Sequence, residues 1–198
     1  VIRLPALVYD FADKDQVFRD RDVVKLHQVR LVFAGTTDFK DYLEPILKAI
    51  RKMNDAEIKI IFDVVGPSPD AIESMLECSS PTQYGINCYG RLSHENTLSI
   101  VRKADFSVLM RENKRYAKAG VSTKFVEAMS LAVPSICTAV GGTDAFVSDG
   151  VDGFLIKDNS VYEILDKLEL IVNMDSSEIL QMKLNALNKA KHVFSEDQ

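Results

Sequence analysis

Four apolar, strand-like runs in this chain lead into glycine turns, and that repetition constrains the fold more than any other feature. Residues 29–34 run into Gly35, residues 58–65 into Gly66, residues 86–89 into Gly90, and residues 134–139 lead to Gly141-Gly142. Runs rich in β-branched and aromatic residues, bounded by such turns, read as buried strands. Between them the spacing changes. Apolar residues at Tyr42, Leu43, Ile46, Leu47 and Ile50 recur every three or four positions, which predicts one buried face of a helix over residues 42–53. Strand–helix alternation of this kind predicts an α/β fold, a Rossmann-like parallel sheet with helices on both faces. Ligands of such sheets bind at the carboxyl ends of the strands. All four glycine turns lie at those ends.

The same reading predicts further helices over 69–78, 93–103, 122–131, 161–173 and 176–192. Strands are expected over 105–110 and 154–156, a helical turn over 143–149 and a loop over 79–84. Residues 4–9 read as a short extended segment. Residues 10–27 are dense in charge and read as a linker or surface helix. The chain therefore divides into residues 1–28, a linker or edge segment, and residues 29–198, one domain closed by two C-terminal helices.

Composition agrees with one soluble domain. The 198 residues suffice for a full core, and 46% hydrophobic with 27% charged residues is ordinary. A net charge of −5 gives no reason to expect nucleic-acid binding. Three cysteines form no metal spacing. Cys88 and Cys137 lie in apolar runs, as buried thiols do in a reducing cytoplasm. No apolar run reaches the roughly 18 residues that span a bilayer, and no signal peptide is evident. The Walker-type phosphate loop, the Gly-x-Gly-x-x-Gly fingerprint and the Gly-x-Ser-x-Gly elbow are missing. Three scattered histidines make a histidine metal site a poor fit.

Residues 120–142 carry the clearest chemistry. Gly120 permits an unusual backbone turn, and Ser122 or Thr123 is placed to cap the helix that follows. The unpaired N–H groups and positive dipole of a helix start favour an anion, and Lys124 adds a full charge. Glu127 lies three residues on, so it shares a helix face with Lys124. Such a site suits a nucleoside diphosphate whose ribose hydroxyls need an acceptor. The plainer reading is a helical ion pair on a solvated face. Lys40 is a candidate for the diphosphate or a plain surface lysine, and Gly35 allows close backbone approach to a phosphate. Arg91 fits a contact with the base or a solvated loop. Arg111 fits a negatively charged donor group. His94 reads as a surface residue at a helix start. The Lys114-Arg115-Tyr116-Ala117-Lys118 cluster reads as a solvated basic loop, with an anionic lipid-linked acceptor or membrane surface as the functional alternative.

The segment from Glu127 through Ala128-Met129 and Val133-Pro134-Ser135-Ile136 to Gly141-Gly142 resembles the nucleotide-sugar site of retaining glycosyltransferases of the GT-B fold, group 1 (family 4). Val32-Phe33-Ala34-Gly35 with Lys40, Cys88-Tyr89-Gly90-Arg91-Leu92-Ser93-His94, and Gly150-Val151-Asp152-Gly153-Phe154-Leu155 resemble further landmarks of that family in the same order. Two departures stand out: Ala119 occupies the position of the family's first Glu, and Thr36 that of an arginine which often follows the first glycine.

The resemblance implies one half of a GT-B fold, the C-terminal donor-binding domain, with the acceptor-binding domain preceding it. The chain's start at Val1 and its length fit such a half. It implies transfer of a sugar, of the hexosyl type, from a nucleoside-diphosphate sugar to a glycan or lipid-linked acceptor with retention. Lys40 and Lys124 would act catalytically on the leaving diphosphate. Gly35, Thr36, Gly66, Arg91, Arg111, Ser122, Thr123, Lys124, Glu127, Gly141 and Gly142 would bind the nucleotide sugar. No cofactor beyond the substrate and no tightly held metal is implied. The expected setting is the cytoplasm, with peripheral contact at the inner membrane face, in surface-polysaccharide synthesis. The 198 residues alone would bind nucleotide weakly and transfer nothing. The alternatives are a GT-B module that keeps nucleotide binding but has lost transfer, motivated by Ala119, and a sugar-nucleotide epimerase.

Overall fold

The computed structural model describes residues 11–14, 17, 28–36, 42–112, 122–140 and 143–194. Within them the chain alternates strand and helix. β1 (Val29–Ala34), α1 (Glu44–Met53), β2 (Ile60–Val65), α2 (Pro69–Leu76) and β3 (Ile86–Gly90) form the first half. α3 (His94–Arg102), β4 (Phe106–Leu109), α4 (Thr123–Ser130), β5 (Ser135–Thr138), β6 (Gly153–Ile156), α5 (Val161–Val172) and α6 (Ser176–Phe194) follow. A 3-10 turn at Pro81–Tyr84 stands where a loop was expected, and another at Thr143–Ala145 falls within the expected helical turn.

Local chemistry sets most boundaries. α1 starts two residues later than its apolar spacing suggests, with Pro45 in its first turn, where a missing N–H costs nothing. Serine side chains cap three helices: Ser68 accepts from the Ala71 N–H, Ser93 from Asn96 and Ser160 from Glu163. α4 is the exception. Ser122 occupies its N-cap position, yet its side chain makes no capping bond, which corrects the expected cap.

The six strands form one sheet in the order β3-β2-β1-β4-β5-β6, and every pairing is parallel. The chain winds outward from β1 to β3, returns to β4, and winds outward again to β6. The reversal lies between β1 and β4, so the crevice for a ligand is expected at their carboxyl ends.

Alternation along β1 sorts its side chains between two cores. Val29, Leu31 and Phe33 join the larger one with Ile46, Leu47 and Ile50 of α1, Ile72 of α2 and Ile164, Leu168 and Ile171 of α5. Val32 and Ala34 face the opposite side, against Val101 and Leu98 of α3 and Ala128 of α4. α6 serves both faces. Its Ile179 and Met182 belong to the larger core, and its Ala186, Ala190 and Phe194 pack with Phe125, Val126 and Met129 of α4. In the segment read as a linker or surface helix, the Ala12 N–H donates to the Ser130 carbonyl at 2.9 Å, and buried Val17 packs on Ala132 and Leu187.

A buried asparagine ties the first half together. Asn54 ends α1, and its Oδ1 accepts from the N–H groups of Lys59 and Ile60 at 3.0 and 3.1 Å. Its Nδ2 donates to the carbonyls of Ile60 and Tyr84 at 2.7 and 2.8 Å. All four bonds of the amide are thus made, and they hold the end of the helix, the entry of β2 and the approach to β3 in one place.

Candidate functional site

The carboxyl ends of β1, β2 and β3 step down side by side. The Gly35 N–H donates to the Val65 carbonyl at 2.9 Å, and the Gly66 N–H to the Gly90 carbonyl at 2.7 Å. Gly66 has φ +118°. A Cβ there would fall 1.7 Å from the Gly35 carbonyl oxygen, so backbone fills the space a side chain would need. A Cβ on Gly35 would lie 2.1 Å from Lys124 Nζ. The two glycines therefore let β1, β2 and the Lys124 side chain meet.

Beside this junction opens a cavity of about 340 Å³ between the sheet and helices α3 and α4. Gly35, Thr36, Gly66 and Arg91 line it from the strand ends, and Lys124 and Glu127 from α4. Its remaining wall is largely apolar, from Val32, Leu98, Val101, Val108 and Ala128. A few polar groups converging on an apolar hollow at a strand-order reversal is the usual form of a small-molecule site.

Lys124 extends across Gly35, with Nζ 5.7 Å from the centre of the Phe33 ring. Glu127, one turn further along α4, is half-exposed and stands 3.9 Å from His94 Nε2, measured at Oε1. The sequence gives His94 only as a surface residue at a helix start. It is indeed exposed, and the tertiary fold brings it to the carboxylate of the site.

The other sequence candidates occupy different places. Arg111 follows β4, is buried, and is not in the cavity wall. Its N–H donates to Thr138 Oγ1 at 2.9 Å, and its carbonyl accepts from that hydroxyl at 3.0 Å and from Asn159 Nδ2 at 3.1 Å. Ser122 and Thr123 begin α4 outside the wall, Ser122 buried and Thr123 exposed. Lys40, Gly141, Gly142, Ala119, Gly120 and the basic cluster at 114–118 lie outside the described residues. Thr143 Oγ1 lies 2.7 and 3.0 Å from the Thr138 and Val140 carbonyls, to either of which its hydroxyl can donate.

A second polar group on the cavity's side of the sheet escaped the sequence reading. Asp63 is almost fully buried on β2. It accepts from Arg30 at 2.7 Å, Asn87 at 2.8 Å and the Tyr89 hydroxyl at 3.2 Å. Burial pushes the Tyr89 phenol above its ordinary range, and the Asp63 charge and hydrogen bond push it the same way. Asp63 and Asn87 are register partners on adjacent strands. A lone aspartate in an apolar run is the sequence signal for such a cluster, but its partners are set by register.

Residues 28–173 match the family described as glycosyl transferases group 1. The chain belongs to that family. An uncharacterized glycosyltransferase of Methanocaldococcus jannaschii is 29% identical over 139 residues, 70% of this chain and 34% of that relative's length. The chain thus spans about a third of the curated relative. Among solved structures, the C-terminal domain of a glycosyl transferase group 1 family protein (LpcC) from Francisella tularensis is similar with a TM-score of 0.72 at 17% identity, over 98% of this chain and 100% of that one. HepE of Anabaena in complex with UDP-glucose is similar with a TM-score of 0.67 at 15% identity, over 97% of this chain and 52% of that one. At these identities the likeness is one of fold. The six-stranded Rossmann-like sheet is that of a GT-B domain, and no helix among the described residues is long and apolar enough to cross a membrane.

Proposed function

We propose that this group 1 glycosyltransferase domain binds a nucleoside-diphosphate sugar in the cavity between β1, β2, α3 and α4 and supplies the donor side of a retaining hexosyl transfer. The observation that carries the reading is the meeting of Lys124, Glu127, Gly35 and Gly66 in one wall. The glycine ends let a diphosphate approach the backbone. The start of α4, where the Ser122 side chain makes no cap, turns the positive end of the helix dipole toward an anion. Lys124 neutralises charge that grows on the diphosphate as the sugar leaves, and electrostatic stabilisation of this kind is a large share of most catalysis. Lys40 is the second cation proposed for that task. Glu127, acceptor-only when ionised, takes hydrogen bonds from the ribose hydroxyls. The apolar wall under Arg91 and Leu92 suits the flat face of a base. Thr36 belongs to the same wall, and Arg111, Ser122, Thr123, Gly141 and Gly142 are proposed as further donor contacts beyond it.

A glycan or lipid-linked acceptor is proposed to enter from a second domain, so that closure of the two excludes water. The greater length of the relatives supports that arrangement. The bound UDP-glucose of HepE supports the class of donor. The proposed setting is the cytoplasmic face of a membrane.

A nucleotide titration tests the site. UDP or GDP at millimolar concentration is expected to raise the melting temperature, because a ligand that binds only the native state stabilises it. Lys124→Ala is expected to remove most of that rise while leaving the melting temperature without nucleotide nearly unchanged. No rise with either nucleotide defeats the assignment. Sugar transfer by these 198 residues alone defeats the two-domain part.

A further inference from the structure

We infer that His94 is a positioning residue that holds the Glu127 carboxylate for the ribose of the donor; the inference rests on the proposed nucleotide site and assigns it a residue on the opposite helix. Three observations lead there. His94 Nε2 stands 3.9 Å from Glu127 Oε1, across the mouth of the crevice between α3 and α4. His94 is the first residue of α3, immediately after the Ser93 cap, whose hydroxyl accepts from the Asn96 N–H and whose carbonyl accepts from Thr97. The backbone under the imidazole is therefore held at both sides of the helix start. Arg91 and Leu92, on the same turn, line the cavity along with Thr97, Leu98 and Glu127. The turn thus fixes the backbone that carries the imidazole relative to the hollow.

The physical need is on the side of Glu127. A half-exposed glutamate on a helix surface samples several rotamers, and ordering it costs free energy each time a ligand binds. An imidazole on the facing helix, 3.9 Å from one carboxylate oxygen, restricts the rotamers and leaves the second oxygen to accept from the ligand. His94 itself is 71% exposed on its side chain, so it carries little of the fold. A pair this exposed couples weakly, and the expected effect of losing it is about two- to fivefold in affinity.

The test uses calorimetric titration of the chain with UDP, 2′-deoxy-UDP and 3′-deoxy-UDP, with the guanosine counterparts in parallel. The wild type is expected to prefer the ribonucleotide. His94→Ala is expected to weaken ribonucleotide binding about two- to fivefold and to leave the form lacking the hydroxyl that Glu127 accepts unchanged, so that the preference narrows. His94→Gln, which keeps a donor, is expected to restore part of it. In a Glu127→Gln background, His94→Ala is expected to add nothing, which is the signature of coupling through that carboxylate. Equal loss for ribo- and deoxynucleotides, no loss at all, or an undiminished effect without the Glu127 charge each overturns the inference while the nucleotide site stands. Failure of the wild type to bind either ribonucleotide overturns the site and this inference together.

Discussion

The two faces of the sheet are built to different rules. Over the first face, α1 buries Pro45, Ile46, Leu47, Ala49 and Ile50 from its ten residues, and the strands beneath it contribute Leu31, Phe33, Phe62 and Val64, all close to fully buried. Over the second face, α3 buries only Val101 from its nine residues. The strands below α3 and α4 offer smaller or polar side chains there, Ala34, Ser107 and Asp63, and the packing leaves a cavity of about 340 Å³. The first face supplies the stability that lets the second remain hollow. Chemistry collects where packing is incomplete, because a ligand needs room and convergent polar groups.

The comparison breaks first, and most heavily, on the filled face. Phe62→Ala removes a fully buried ring from the larger core and is expected to cost about 3–5 kcal/mol, read from the midpoint of denaturant unfolding at unchanged slope. A smaller loss would mean that the first face can collapse onto the gap.

Gly66→Ala attacks the hollow face at a point of close backbone contact. A positive φ and a Cβ 1.7 Å from the Gly35 carbonyl oxygen are expected to cost about 1–3 kcal/mol. The β1–β2 step must shift as well, so nucleotide-induced stabilisation is expected to disappear along with that stability. Intact binding in a destabilised variant would separate the glycine step from the site.

The smallest effect compares neighbours on β3 that point to opposite faces. Burial, then the charges of Glu73 and Cys78, push the Cys88 thiol up from 9.0 to about 11. Burial and Asp63 raise the Tyr89 phenol. Both groups release protons more readily in the unfolded chain, so the unfolded state binds fewer protons in alkali and stability falls as pH rises. The contribution of Cys88 is whole below pH 9 and is lost as pH rises through about 11. That of Tyr89 is whole below its ordinary range near pH 10 and is lost above it. Urea midpoints from pH 8 to 11.5 are expected to decline. Cys88→Ala is expected to flatten the earlier part of the decline and Tyr89→Phe the later part. A profile unchanged by both variants would show that neither the Cys88 thiol nor the Tyr89 phenol is raised by the fold.

Much of the architecture was readable in the chain because it rests on local chemistry. Period-2 and period-3.6 apolar patterns predict the order of elements. The hydroxyls of Ser68, Ser93 and Ser160 stand where a helix start needs an acceptor, and Pro45 delays α1 for a reason visible in one residue. Where the local signal is only permissive it fails. Ser122 has the right side chain in the right place and caps nothing. Residues of the apolar cavity wall, such as Val101 and Val108, are indistinguishable in sequence from core residues, because only the second layer of helices decides whether the space beside them is filled.

Sequence alone therefore determined the parallel α/β class, the glycines at the strand ends, and the spacing that puts Lys124 and Glu127 one turn apart on the same helix. All of these follow from the character of residues within a few positions of one another. The tertiary structure decided that Gly66 sits against the Gly35 carbonyl and that Arg30, Asn87 and Tyr89 converge on Asp63. It brought His94 within 3.9 Å of Glu127, and it closed four hydrogen bonds around Asn54. These contacts join residues far apart in the chain, and their partners are selected by strand order and register, which arise only when the separate apolar faces are buried together.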